Sequence, residues 1–221
     1  MSDIMLLGDQ AISAIAVHEC GEPLQDLRRA PALRLDPRLA DPAGEYAHLR
    51  AGVVDRLVTA QTMLPIGIRL LIVEGYRPLE VQADSYTLRL DNLTRAHPHR
   101  NAAWLRQETS RFVAPPEVSG HVAGAAVDLT LCDADGAELW LGSQLNDIAS
   151  EACYTDCADL PPQARRHRNE LARALQAVGL VNYPTQWWHW SYGDRYWAFH
   201  TGAQAARYAT IARWIQPDDA G

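Results

Sequence analysis

Apolar residues along the chain fall into runs of two kinds, and the two kinds occupy separate stretches. Between Glu45 and Leu64, Leu49, Val53, Leu57, Ala60 and Leu64 recur at helical spacing, which predicts a helix that Pro65 and Gly67 stop. "IRLLIVEGYRP" follows as a continuous apolar run with a turn at Gly75–Pro78, the signature of a buried strand. Leu79 to His97 and Ala102 to Phe112 return to helical periodicity, separated by "HPHR". "AGAAVDLTL" reads as a second buried strand, "DADG" as a hairpin turn, and "AELWL" as the partner strand. Pro162 to Val178 predicts a helix with Pro near its start and Gly179 at its end. "VNYPTQWWHWSYG" is extended, and Gly202 to Trp214 predicts a closing helix. Helices and antiparallel strands in separate runs specify an α+β fold, with a central antiparallel sheet and flanking helices. Residues 1–44 are rich in Pro and short turns. They read as an N-terminal arm packed on one domain spanning residues 45–221.

Composition narrows the chemistry. The 221 residues suffice for one domain with a sizeable core, and the apolar fraction of 48% is that of a globular protein. Net charge is −7, so no basic field invites nucleic acid or anionic lipid. No apolar run has membrane-spanning length, and "MSDIMLLGDQ" lacks the basic start of a signal peptide, so the chain is expected in the cytoplasm. Every one of its 20 basic residues is arginine. That excludes a Schiff-base lysine and a phosphate-binding Walker lysine. Cys20, Cys132, Cys153 and Cys157 are too few and too scattered for a disulfide scaffold. The C-x₃-C pair at Cys153 and Cys157 has no second pair nearby, so reduced thiols are expected rather than half a zinc site.

Candidate chemistry concentrates in two segments. "SGHVAGAAVDLTL" places His121 and Asp128 seven residues apart in a segment with two glycines, Gly120 and Gly124, and "YPTQWWHWSYGDRYW" surrounds His189 with Trp187, Trp188, Trp190 and Trp197. A single histidine is more commonly structural than a ligand. Together, His121, Asp128 and His189 form a His/Asp/His set suited to catalytic zinc, which takes three protein ligands and keeps one position open.

These segments resemble the D-alanyl-D-alanine dipeptidases of the type found in vancomycin resistance. That family carries S-x-H-x-x-G-x-A-x-D, met here by Ser119, His121, Gly124, Ala126 and Asp128. Its later E-x-x-H motif is met at Trp187, Trp188 and His189 but not at its first position, which is Gln186. "CGEPLQDLR" and "NYPTQWWHWSYGDRYWAF" extend the resemblance over almost the whole chain. The resemblance implies a zinc metallopeptidase with an enclosed site for small dipeptides such as D-Ala-D-Ala. In that scheme Zn²⁺ is held by His121, Asp128 and His189. Arg77 of "EGYRP" steadies the oxyanion, Asp147 of "DIASEACYTD" pairs with the substrate ammonium, and Ser119 and Trp188 contact substrate. A homo-oligomer is left open.

Gln186 departs from this scheme. An amide can hydrogen-bond a water but cannot accept and deliver a proton at neutral pH. Loss of a general base costs on the order of 10²–10⁴ in rate. The glutamine admits three readings: a dipeptidase altered at this position to trap substrate, a natural member that binds without cleaving, or a zinc enzyme of a biosynthetic pathway acting on a small amino-acid-derived substrate.

Overall fold

The computed structural model describes residues 4–212. Seven strands run in chain order: β1 (Leu24–Asp26), β2 (Arg34–Leu35), β3 (His48–Arg50), β4 (Arg69–Glu74), β5 (Ala126–Cys132), β6 (Val181–Asn182) and β7 (His189–Ser191). The helices are α1 (Gln10–Ser13), α2 (Ala51–Met63), α3 (Leu79–Ala96), α4 (Ala102–Ser110), α5 (Pro162–Ala177) and α6 (Arg195–Thr201). The main sheet has the order β2-β4-β5-β7-β6, antiparallel throughout except for the parallel β2–β4 edge. β1 and β3 form a separate antiparallel pair. The architecture is α+β, as the sequence pattern specifies. None of the helices among the described residues is long and apolar enough to cross a membrane.

The sheet's two faces divide labour. Val127, Leu129 and Leu131 of β5, with Leu70 and Ile72 of β4, point into the main core. There they meet Val53, Leu57 and Ala60 of α2 and Leu171, Ala174 and Leu175 of α5. Alternation then sends Asp128 to the other face. Register carries this across the sheet, because Asp128 lies opposite His189 on one side and opposite Glu74 on the other. The second pairing depends on a bulge between Ile72 and Glu74. With the extra residue Val73 accommodated there, Glu74 replaces it as the neighbour of Asp128.

Several elements differ from the sequence pattern. The helix expected from Glu45 begins at Ala51, because residues 45–47 form a 3₁₀ turn and His48–Arg50 pair with β1. The arm thus supplies β1 to that pair and β2 to the edge of the main sheet. "AELWL" contributes only one bridge, Cys132 to Glu138, rather than a full partner strand. The closing helix lies earlier than Gly202–Trp214. Asp194 caps α6 by accepting from Trp197 N–H at 2.7 Å, and Gly202 ends it in the left-handed region at φ 69°. Gly202 therefore terminates a helix rather than starting one, and Trp214 lies outside the described residues.

Candidate metal centre

β5 and β7 present Asp128 and His189 side by side, with Asp128 Oδ1 2.9 Å from His189 Nδ1. His121 arrives from a 3₁₀ turn (His121–Ala123) that precedes β5, and its Nε2 lies 3.3 Å from Asp128 Oδ1 and 3.2 Å from His189 Nδ1. Two glycines make this approach possible. A Cβ on Gly120 would sit 2.4 Å from Asp194 Oδ2, and one on Gly75 would sit 2.4 Å from the His48 carbonyl. The Gly75 carbonyl in turn accepts from His121 Nδ1 at 2.7 Å. That bond fixes the tautomer and leaves Nε2 as the free lone pair facing its partners, the arrangement in which imidazole serves as a metal ligand.

The three donor atoms form a buried triangle with edges of 2.9–3.3 Å. Burial by itself would raise the Asp128 pKa, but His121 and His189 beside it hold the carboxyl well below the ordinary range. Burial opposes charge on His121 as well, and Asp128 more than offsets it, raising the imidazole pKa. An ionised carboxylate and two imidazoles converging at such distances match the donor set and compactness that a small divalent cation requires, so these residues fit zinc. Among the described residues no other group of His, Cys, Asp and Glu converges in this way. The four cysteines are free.

Beside the triangle opens a pocket lined by Arg77, Gln82, Phe112, Ser119, Tyr183 and Gln186, among others. Arg77 forks onto Glu74, with Nε 2.7 Å from Oε1 and Nη2 2.5 Å from Oε2, and Nη1 reaches Gln82 Oε1 at 2.7 Å. Burial pulls the Arg77 pKa down, but Glu74 and Asp128 outweigh it, so the guanidinium stays charged. Three of its five N–H groups are thereby used, and one on each terminal nitrogen stays available to a ligand. Backbone bonds tie this turn to the histidine, since Arg77 N–H donates to the His121 carbonyl at 3.2 Å.

Gln186 lines the pocket, and its Nε2 donates to the Phe112 carbonyl at 2.7 Å. Ser119 lines it as well and also borders a second cleft that contains Asp194 and Arg195. Trp188 does not line the pocket. It is 1% exposed and belongs to the main core, as do Trp187 and Trp190. The reason is alternation: His189 faces the site, so both its neighbours must face away. The aromatic walls are Phe112 and Tyr183 instead. Asp147 is absent from the lining and accepts from Ala149 N–H at 3.1 Å. Its neighbour Asn146, in the left-handed region at φ 69°, is the residue of that loop that reaches the pocket.

Sequence reasoning overlooked Glu74, Gln82, Phe112 and Tyr183. Glu74 had a signal, standing three residues before Arg77 at the end of an apolar strand where a carboxylate needs a partner. Gln82 and Phe112 had none, because their approach depends on the packing of α3 and α4. Tyr183, though inside the segment around His189, is turned to the pocket by the β6–β7 connection, where its N–H donates to the His189 carbonyl at 3.0 Å.

A family model described as D-ala-D-ala dipeptidase matches residues 48–209. The D-alanyl-D-alanine dipeptidase of Synechocystis sp. is 25% identical over 234 residues, covering 90% of this chain and 93% of that protein. The Streptomyces coelicolor enzyme of the same name is 30% identical over 131 residues, covering 57% of this chain and 63% of that one. Among solved structures, the LdcB LD-carboxypeptidase aligns at a TM-score of 0.45 and 16% identity over 86% of this chain and 76% of that one, too distant for chemistry to be read across. With most of its length matched by that model, and with the site's histidines and aspartate inside the matched span, the chain belongs to the D-Ala-D-Ala dipeptidase family of metallopeptidases.

Proposed function

We propose that this protein binds one zinc ion through His121, Asp128 and His189 and takes up small dipeptides such as D-Ala-D-Ala in the cytoplasm, with hydrolysis attenuated by Gln186. The observation that carries the proposal is the buried triangle of His121 Nε2, Asp128 Oδ1 and His189 Nδ1, open on one side to the pocket. Zinc held there would supply Lewis-acid polarisation of a scissile carbonyl. Arg77 has two unused N–H groups with which to bind the oxygen on which charge develops. Glu74 keeps that guanidinium charged and oriented, so the arginine acts as a directed donor rather than a mobile cation. Ser119 contributes to the pocket wall, and Asp147 is assigned to the substrate ammonium from the loop beside it.

Gln186 stands at the motif position where the resembled family has the carboxylate that would exchange the proton. Without that base the rate falls by on the order of 10²–10⁴, which makes a bound dipeptide long-lived. Gln186 also favours a second reading, a zinc enzyme of a biosynthetic pathway acting on a small amino-acid-derived substrate. Elemental analysis and calorimetric titration with D-Ala-D-Ala separate these. The proposal expects one zinc per chain and dipeptide binding, both lost in His121→Ala and His189→Ala. Full zinc in both variants would defeat the metal assignment, and zinc without dipeptide binding would favour the biosynthetic reading.

A further inference from the structure

The run that leaves α4 is fastened to the turn between β6 and β7 by side chains alone. Tyr183 Oη donates to the Ser110 carbonyl at 2.7 Å, Thr185 Oγ1 to the Arg111 carbonyl at 2.5 Å, and Gln186 Nε2 to the Phe112 carbonyl at 2.7 Å. From the opposite side, Gln82 Nε2 donates to the Ala114 carbonyl at 2.7 Å. The Ser110 and Arg111 carbonyls close the end of α4 and the Phe112 and Ala114 carbonyls follow in the run just beyond it, backbone acceptors that call for donors from outside the helix. Such a place repels anions. A glutamate at 186 would bring a carboxylate, with no proton to give, to within hydrogen-bonding distance of a carbonyl oxygen. Glutamine meets the requirement that glutamate fails.

We infer that Gln186 is a positioning residue. Its amide nitrogen locks the pocket wall at Phe112–Ala114 to the turn that carries His189, and its side-chain oxygen is thereby fixed as a neutral acceptor for an N–H group of the bound ligand. The lock is a property of the fold. The acceptor role rests on the dipeptide-binding reading, because an ammonium or amide N–H is what it would receive. With Nε2 committed to the wall, Oε1 is the remaining prong of a residue that lines the pocket. Gln186 is therefore matched to this wall, and exchanging it for glutamate does more than add a base.

Hydrogen exchange on the metal-free protein tests the lock without involving activity. The amides of Phe112 and Val113 both donate to the Thr109 carbonyl and report opening of the wall. Gln186→Met keeps the volume and removes the donor, and should speed their exchange about fivefold. Gln186→Glu sets a carboxylate against the Phe112 carbonyl and should speed it about tenfold or more, while β5 amides stay unchanged. Wild-type exchange in Gln186→Glu, with hydrolysis of D-Ala-D-Ala raised by the ~10²-fold of a correctly seated base, overturns the inference. On zinc-loaded protein, Gln186→Met should bind D-Ala-D-Ala about tenfold more weakly, and unchanged affinity removes the acceptor role. If the wild type takes neither zinc nor dipeptide, the proposed function fails while the exchange result still decides the lock.

Discussion

The two faces of β5 and β7 use the same strands for opposite purposes. On one face Asp128 and His189 stand in register with Glu74, and their charged and imidazole groups are held by specific partners. On the other face Val127, Leu129, Trp188 and Trp190 fill the core by volume and apolar contact. Adjacent residues in the sequence therefore carry unrelated constraints. A shift of one position exchanges a site histidine for a core indole, which explains why the cluster of tryptophans around His189 marks the site without lining it.

The largest effect is expected on the core face. Trp188→Ala removes a large, fully buried side chain and should destabilise the protein by about 3–5 kcal/mol, read from denaturant unfolding of the metal-free form. If the cost is under 1 kcal/mol, the indole is not core. On the site face, His189→Ala should leave a protein that still folds, with metal-free stability changed by less than about 2 kcal/mol, while bound zinc falls below one tenth per chain by elemental analysis. A loss of stability as large as that of the tryptophan variant would erase the distinction between faces. Asp147→Ala probes the edge of the site. If Asp147 serves the ammonium, D-Ala-D-Ala should bind about tenfold more weakly in calorimetry, with the N-acetylated dipeptide unaffected. Equal changes for both ligands would remove that role. The smallest effect is expected at Thr130, two residues beyond Asp128 on the same face, whose buried hydroxyl has no hydrogen-bond partner. Thr130→Val should change stability by less than about 1 kcal/mol, in the stabilising direction, because no bond is lost and a polar group leaves the interior.

Legible in the residue pattern were the α+β class, β4 and β5 as buried strands, α3, α4 and α5 closely, and His121, Asp128 and His189 as candidate residues, which the fold brings together. These are local signals: apolar periodicity, a helix stop, and ligand-type residues around glycines that permit close approach. What those residues meet depends on strand pairing and packing between distant segments. The bulge at Val73 that brings Glu74 beside Asp128 arises from strand pairing and leaves no mark in a one-dimensional pattern. Glu45–Arg50 looked helical because Leu49 fits the spacing, yet Glu45–Ala47 make only a 3₁₀ turn and His48–Arg50 pair with β1, a segment more than twenty residues earlier. Gly202 carried the wrong meaning because a left-handed glycine can sit between elements in either direction, and the cap at Asp194 identifies which helix it ends. Gln186 is the clearest case. Its sequence position shows only that a carboxylate is missing, whereas the carbonyl of Phe112, seventy-four residues away in the chain, supplies the physical reason for an amide.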